Sequence, residues 1–469
     1  MTRRFYRFRN INTLLGFEEL QKQTIYFAPP KDLNDPMEGF RNLIWSGDAI
    51  AWKNLFKHYL MCLERVSGLL ILCGEEHYTL KDDDIPIYNT YDDFPTPQYK
   101  KLFEAMATDF FDLCIEVIER IATRTTPIKR GELQIYLSLM HWIAIEVIEK
   151  NYALTGMIPK KEFDHSNFSD PLVQIITMID TVEKMLQEAQ DHQYAEEIFD
   201  VFKNLQDNIA LRHKCEGTFC QDFPNRNFVL IDFPEKYLNE IEKLLYPEWY
   251  TACFMTECYS SSVWGHYGDG HKGICLIFES NHNENEDFIQ LKGKVGWGSE
   301  GAIIGDRNHQ FYKVNYEDGF GEIDFFKSIG SLPTHQLLSM WYMDENKTVS
   351  KVADSYISNE KEWQQQYWNT YLRDILIKTK DWAYEQEYRL ILNGLLEHEI
   401  SKEHRLLTYN FQSLKGIIFG IKTSTEDKLK IIDIIKSKCK VHNRDDFEFY
   451  QAYYSSKDKN IQHRKMSFL

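Results

Sequence analysis

Strand-like patterning occurs at both ends and in the middle of this chain, and long helix-patterned stretches separate the three. Residues 5–8 are short and aromatic, and 24–27 form a β-branched and aromatic run closed by Pro29 and Pro30. Strand character returns at 250–256, 273–278 and 311–316, and again at 384–392, 414–419 and 447–454. The runs at both ends and in the middle are expected to meet in one sheet, with the helices inserted between them. They therefore predict an α+β fold with a discontinuous mixed β-sheet core, built from 1–45, 246–324 and 379–469.

The intervening segments predict helices. Phe103, Met106, Phe110, Cys114, Val117 and Ile121 recur at three- and four-residue steps, as do Leu133, Leu137, Met140, Ala144 and Val147. Another such run covers 172–185, and 82–97, rich in Asp and Pro, is expected to link into the block. Residues 46–245 are thus expected to be a large all-helical insertion, and 325–378 a second helical insertion. Shorter helices are expected from Asn12 or Thr13 through Leu20, and over 426–437.

Composition narrows the function classes. The longest apolar stretches, such as 69–73 and 274–278, are far shorter than the ~20 residues of a membrane span. The basic start, Arg3, Arg4, Arg7 and Arg9, is not followed by the apolar segment of a secretion signal. Nine Cys, an odd number spread from Cys62 to Cys439, suit a reduced cytoplasm better than a disulfide framework. A net charge of −17, from 71 acidic and 54 basic residues, disfavours general nucleic-acid binding by phosphate neutralisation.

Two segments carry candidate chemistry. The first runs from Cys253 to Gly273 and contains Ser260, Ser261, Ser262, Trp264, His266 and Tyr267, followed by Gly268, Gly270 and Gly273. Glycines at this density permit unusual backbone angles and close approach of a ligand, and equally suit a tight aromatic turn before a strand. The second holds Trp382, Tyr384, Glu385, Glu387, Tyr388 and Arg389. As a strand it would put Glu385, Glu387 and Arg389 on one face and the tyrosines on the other. Two carboxylates about 7 Å apart on one face repel unless solvated, paired or used.

Cys215 and Cys220 share a five-residue spacing with Cys253 and Cys258, and His213 lies near. Zinc ligands usually pair two to four residues apart, so no metal is assigned. Asp35 with Glu38 gives the slightest hint of a magnesium-dependent nuclease. No phosphate loop, HExxH helix or nucleophile elbow occurs.

Five separated segments together resemble a bacterial domain-of-unknown-function family, number 2971. They are Tyr6-Arg7-Phe8-Arg9; Ile25-Tyr26-Phe27 with Asn34-Asp35-Pro36-Met37-Glu38; Trp264-Gly265-His266-Tyr267 with Gly270-His271-Lys272-Gly273; the Trp382 to Arg389 segment; and Gly416-Ile417-Ile418-Phe419-Gly420. Their layout also resembles, more distantly, the ADP-ribosyltransferases, which implies a core of that fold. In that resemblance Arg7 or Arg9 leads, Ser260–Ser262 with Tyr267 follows mid-chain, and Glu385 with Glu387 comes late.

The transferase resemblance implies that NAD is a substrate. Cleavage of its nicotinamide–ribose bond passes through an oxocarbenium-like state, which a fixed carboxylate stabilises. Glu387 would take that role, and Glu385 would orient or deprotonate the acceptor. An Arg of the first strand would hold pyrophosphate. Tyr6 and Asn34 are expected to line the nucleotide site, Trp264 or Tyr267 to stack on nicotinamide, and Ser262 to brace a carboxylate. His266 and Glu38 are alternative actors. The expected function is an NAD-consuming ADP-ribosyltransferase or NAD glycohydrolase, a toxin or phage-defence effector acting in the cytoplasm on a protein or nucleic-acid acceptor. The helical insertion is expected to bind a second copy of the chain or a trigger protein. The alternative is a non-catalytic ligand- or protein-binding regulatory module, in which Glu385 and Arg389 pair structurally.

Overall fold

The computed structural model describes residues 2–159, 169–188, 223–283, 286–394 and 400–467, with isolated positions between 199 and 215. The chain is mixed α/β with several sheets, and it divides into two compact units. The first comprises Met1–Phe40, Pro247–Gly321 and Thr370–Leu469; the second comprises Arg41–Tyr246 and Glu322–Asn369.

The first unit is organised by an eight-stranded sheet. Its strands are β1 (Arg4–Arg9), β2 (Trp249–Met255), β3 (Ile274–Glu279), β4 (Tyr312–Lys313), β5 (Glu387–Asn393), β6 (Leu414–Phe419), β7 (Glu448–Ser455) and β8 (Asn460–Lys465). They lie in the order β4-β5-β2-β1-β3-β6-β7-β8. Only β6 and β7 pair in parallel, and they are joined by the helix Thr425–Val441, as a parallel connection requires. Ser424 starts that helix by accepting the Asp427 N–H at 3.0 Å. A second sheet holds Thr24–Tyr26, Leu406–Tyr409, Glu286–Gly298, Asn281–Asn283 and Gly301–Gln310.

Period-2 alternation sorts the side chains of the large sheet onto two faces. Phe5, Phe254, Leu276 and Ile417 enter the main core with Ile25, Leu291 and Leu407 of the second sheet and Ile431 and Ile435 of the helix. Phe8, Met255, Cys275, Ile277 and Ile418 face the other way and pack around Trp264. Across β1, β2 and β5 the register aligns Tyr6 with Met255 and Met255 with Glu387. Directly opposed residues share a face, so Glu387 and Arg389 lie on the Trp264 side of the sheet.

The second unit contains the long helices Ala49–Cys73, Pro97–Ala122, Arg130–Thr155 and Ser169–Glu188. Asp48 and Thr96 cap the first two through side-chain oxygens. The block expected to be all helical is not: Ile128–Lys129 is a strand in a three-stranded sheet with Asn42–Trp45 and Glu322–Asp324. Two residues are too few to show a period, which hid this strand from sequence patterning. Residues 322–369 join this unit, whereas 370–378 pack in the first. The helix expected through Leu20 is two short helices, Ile11–Gly16 and Glu19–Lys22, broken by left-handed Glu18 (φ 56°) and capped by Asn10. Among the described residues no helix is long and apolar enough to cross a membrane.

Two buried histidines tie the helices of the second unit together. His58 bonds the Tyr237 hydroxyl at 2.9 Å and Ile87 O at 3.1 Å, and His141 bonds the Tyr59 hydroxyl at 2.7 Å and Val229 O at 2.9 Å. Burial pushes both imidazoles down to about 4. Both bind protons less readily folded than unfolded, so acid favours the unfolded chain between the free imidazole value and about 4. Denaturant melts of this unit's helical signal should lose about 2 kcal/mol per histidine by pH 5. His141→Gln should flatten the loss, and an unchanged pH slope in that variant would contradict the assignment.

Candidate functional site

Seven ionisable side chains from five segments converge on the Trp264 face of the large sheet. The chain enters β5 through a 3₁₀ turn, Lys380–Glu385, ended by left-handed Gln386 (φ 48°). Glu385 is therefore not on the strand, as its alternation with Glu387 predicts; β5 begins at Glu387. The turn nevertheless aims both carboxylates at one cation. Lys378 Nζ lies 2.7 Å from Glu385 Oε2 and 3.1 Å from Glu387 Oε2. Arg389, two residues on, donates from Nε to Glu387 Oε1 at 2.9 Å and from Nη1 to Ile375 O at 2.7 Å.

A third carboxylate comes from the Asn34-Asp35-Pro36-Met37-Glu38 turn. Asp35 Oδ1 accepts the Met37 N–H at 2.9 Å and Asp35 O accepts that of Glu38 at 3.1 Å, a local bonding pattern that closes the loop. Glu38 Oε1 then meets Arg389 Nη2 at 2.5 Å and Lys378 Nζ at 3.6 Å. Two tyrosines complete the enclosure. The Tyr267 hydroxyl donates to Glu385 Oε1 at 2.7 Å, and the Tyr316 hydroxyl accepts the Glu387 N–H at 3.0 Å.

The five charged side chains are between 0% and 4% exposed, so their mutual attraction is weakly screened. Burial would raise the Glu387 carboxyl, but Arg389 and Lys378 outweigh it and hold it down at about 2. For Glu385 burial prevails over Lys378 and Tyr267, and its carboxyl is raised. Glu38 is likewise raised, burial outweighing Arg389. Burial alone would lower Lys378, yet Glu387 and Glu385 raise it, so the ammonium stays charged.

The other candidate residues are distributed unevenly around this cluster. Tyr6 shares its face, half-buried against the Trp264 group. Arg7 does not: it lies on the opposite face, where it donates to Cys253 O at 3.1 Å and Tyr26 O at 3.2 Å beneath the Phe254 ring. Arg9 follows the same alternation and pairs with Glu19. Neither arginine is brought to Glu387. Asn34 is exposed at the start of its turn and Ser262 is exposed on the short helix Ser261–His266. Trp264 is fully buried, its indole N–H bonded to Cys258 O at 2.9 Å and its ring edge-on to Phe8, so it is core and not a stacking wall. His266 is exposed and bonds the Tyr384 hydroxyl at 2.9 Å.

The glycine turn serves the backbone. A side chain at Gly273 would stand 2.5 Å from Arg9 O, and one at Gly268 would stand 2.7 Å from Trp264 O. Among the described residues no set of three His, Cys, Asp or Glu side chains is arranged to hold a metal, and Lys378 and Arg389 occupy the space between the three carboxylates. His213 and Cys220 lie outside the described residues. Sequence reasoning missed Lys378, which is the last residue of the second expected helical insertion and has no motif around it.

This is a mixed α/β unit built around a buried carboxylate–cation cluster. The model of a family described as protein of unknown function (DUF2971) matches residues 263–390, a segment that includes Tyr267, Tyr316, Lys378, Glu385, Glu387 and Arg389. No curated protein and no solved structure matches the chain.

Removing Arg389 would leave Glu38 and Glu387 with one shared cation. Arg389→Met should lower unfolding free energy by about 3–5 kcal/mol, and Arg389→Lys should restore little, because Lys lacks the three-way donor fork. Equal stability of wild type and Arg389→Met in urea would show that the cluster contributes nothing to the fold.

Proposed function

We propose that this chain cleaves the nicotinamide–ribose bond of NAD, as an ADP-ribosyltransferase or an NAD glycohydrolase, with Glu385 and Glu387 in separate roles. The observation that carries the proposal is the division between these two carboxylates. They stand two residues apart on one cation, yet one is held ionised by Arg389 and Lys378 and the other is raised by burial. Environments that push paired titratable groups apart assign an acid–base role to one and a fixed charge to the other. Glu387 supplies the fixed negative charge that favours an oxocarbenium-like ribose. Glu385 accepts from the half-buried Tyr267 hydroxyl and adjoins the exposed Tyr384 in the chain, so in this reading it takes the acceptor's proton.

In this reaction the C1′–N bond breaks with its electron pair passing to the nicotinamide nitrogen, which neutralises the pyridinium. Water or an acceptor hydroxyl forms the new C1′–O bond and gives its proton to Glu385. Arg7 has no part in it, since its guanidinium is committed to two carbonyls on the other face of the sheet. Consumption of a cytoplasmic NAD pool suits a toxin or phage-defence effector, with the helical unit reading the trigger.

A second reading, a regulatory module without catalysis, is favoured by a specific observation: every carboxylate of the cluster already has a cationic partner and is 2% exposed or less. The two readings separate in one assay. With NAD and candidate protein and nucleic-acid acceptors, wild type should release nicotinamide; Glu387→Gln should slow release by about 10²-fold or more, and Glu385→Gln by about 10²-fold. Folded wild type that neither releases nicotinamide nor binds NAD would end the catalytic proposal in favour of the module.

A further inference from the structure

The turn that delivers Glu38 has no task in the reaction proposed above, although it places a buried carboxylate against the same two cations. Its geometry decides how the cluster is charged. Arg389 directs Nε at Glu387, Nη1 at Ile375 O and Nη2 at Glu38, so it turns no donor toward Glu385. Among the described residues Lys378 is left as the one cation that Glu385 touches, and it is shared with both other carboxylates. Three carboxylates against one ammonium and one guanidinium leave a formal charge of 2 − 3 = −1.

We infer that Glu38 is a positioning residue for the proposed transfer, which engages Arg389 and leaves the cluster one positive charge short, so that Glu385 can take the proton of the attacking hydroxyl. The inference rests on the NAD-cleaving reading. With Glu38 ionised, a proton on Glu385 brings the buried cluster to neutrality. With Glu38 replaced by a neutral group, two cations would already balance two carboxylates, and the same proton would leave an uncompensated positive charge in a buried cluster. The bond changes balance: the hydroxyl O–H breaks, its oxygen bonds C1′, the C1′–N pair leaves with nicotinamide, and the proton rests on Glu385.

Among the described residues no other charged side chain pairs with these carboxylates. Tyr267 after the short helix, Tyr384 in the 3₁₀ turn, Tyr316 after β4 and Cys253 on β2 are the remaining titratable groups among them that act on the carboxylates. Burial raises all four, so they stay neutral near pH 7. Burial also raises Glu38 and Glu385 themselves, as expected of a site that holds more carboxylates than cations.

Protein labelled with ¹³C at the Glu side-chain carboxyls, titrated as the full chain, tests this directly, with Glu385→Gln assigning the signal. In wild type Glu385 should titrate above the ordinary value of about 4.3. Glu38→Gln should move it down by about one unit or more, and Glu38→Asp should keep it near the wild-type position. Parallel NAD kinetics should show kcat reduced about ten-fold in Glu38→Gln with KM little changed. An unmoved Glu385 titration in folded Glu38→Gln overturns the inference. Should that variant fail to fold, wild type decides: Glu38 and Glu385 must show the same two titration steps, because they share one proton, and independent steps overturn the role. A titration shift without nicotinamide release rejects the NAD reading and leaves the charge-setting role of Glu38 standing; release without a shift does the reverse.

Discussion

Burying charge is the constraint on which the first unit depends. A bare carboxylate or ammonium removed from water costs several kcal/mol, and the Coulomb attraction of its partners offsets this only when all of them arrive in good geometry. Here the partners are Glu38 from an N-terminal turn, Lys378, and Glu385, Glu387 and Arg389 from the entry to β5. None of these segments can hold its charge dry without the others. The long interruptions in the chain are tolerated because loop closure entropy grows only slowly with length. What is not tolerated is partial assembly, which would strand a buried ion.

The same sheet imposes a second rule through its period of two. Arg7 and Glu387 sit on strands separated only by β2, yet they face opposite sides, because Glu387 lines up with Tyr6 and not with Arg7. A shift of one residue in register would exchange every side chain between faces, so the hydrophobic pattern fixes this arrangement firmly. Phe5 and Phe254 commit the Arg7 side to the main core, and Phe8 and Met255 commit the other to the Trp264 group. The guanidinium of Arg7 consequently serves the fold by satisfying two strand carbonyls, and any anion-binding role must come from elsewhere.

How far the sequence could be read follows from these same interactions. The strands at 5–8, 273–278 and 414–419 were legible because β-branched and aromatic residues run together between turn signals, and the helix over 426–437 was legible between the strand runs that flank it. Glu385 and Glu387 were legible as a pair, but their geometry was not. The left-handed Gln386 that ends the 3₁₀ turn carries no sequence signature, since left-handed residues other than Gly and Asn are uncommon. Lys378 was illegible for another reason: its role is defined wholly by partners 7, 9 and 340 residues away in the chain. The Glu286–Gly298 and Gly301–Gln310 hairpin was also unread, because glycines at 293, 296, 298, 301 and 305 dilute its alternation.

Stability alone is an incomplete explanation for the cluster. Replacing a buried ion network by well-packed apolar groups is often neutral or stabilising, so such a network is weak evidence of a structural strut. A strut would also be expected to balance its charges. This cluster does not: it gathers three carboxylates around two cations at full burial. An unbalanced buried cluster takes up a proton more readily than a balanced one, in line with the raised carboxyls of Glu38 and Glu385. That imbalance, more than any single residue, is what the proposed proton transfer rests on.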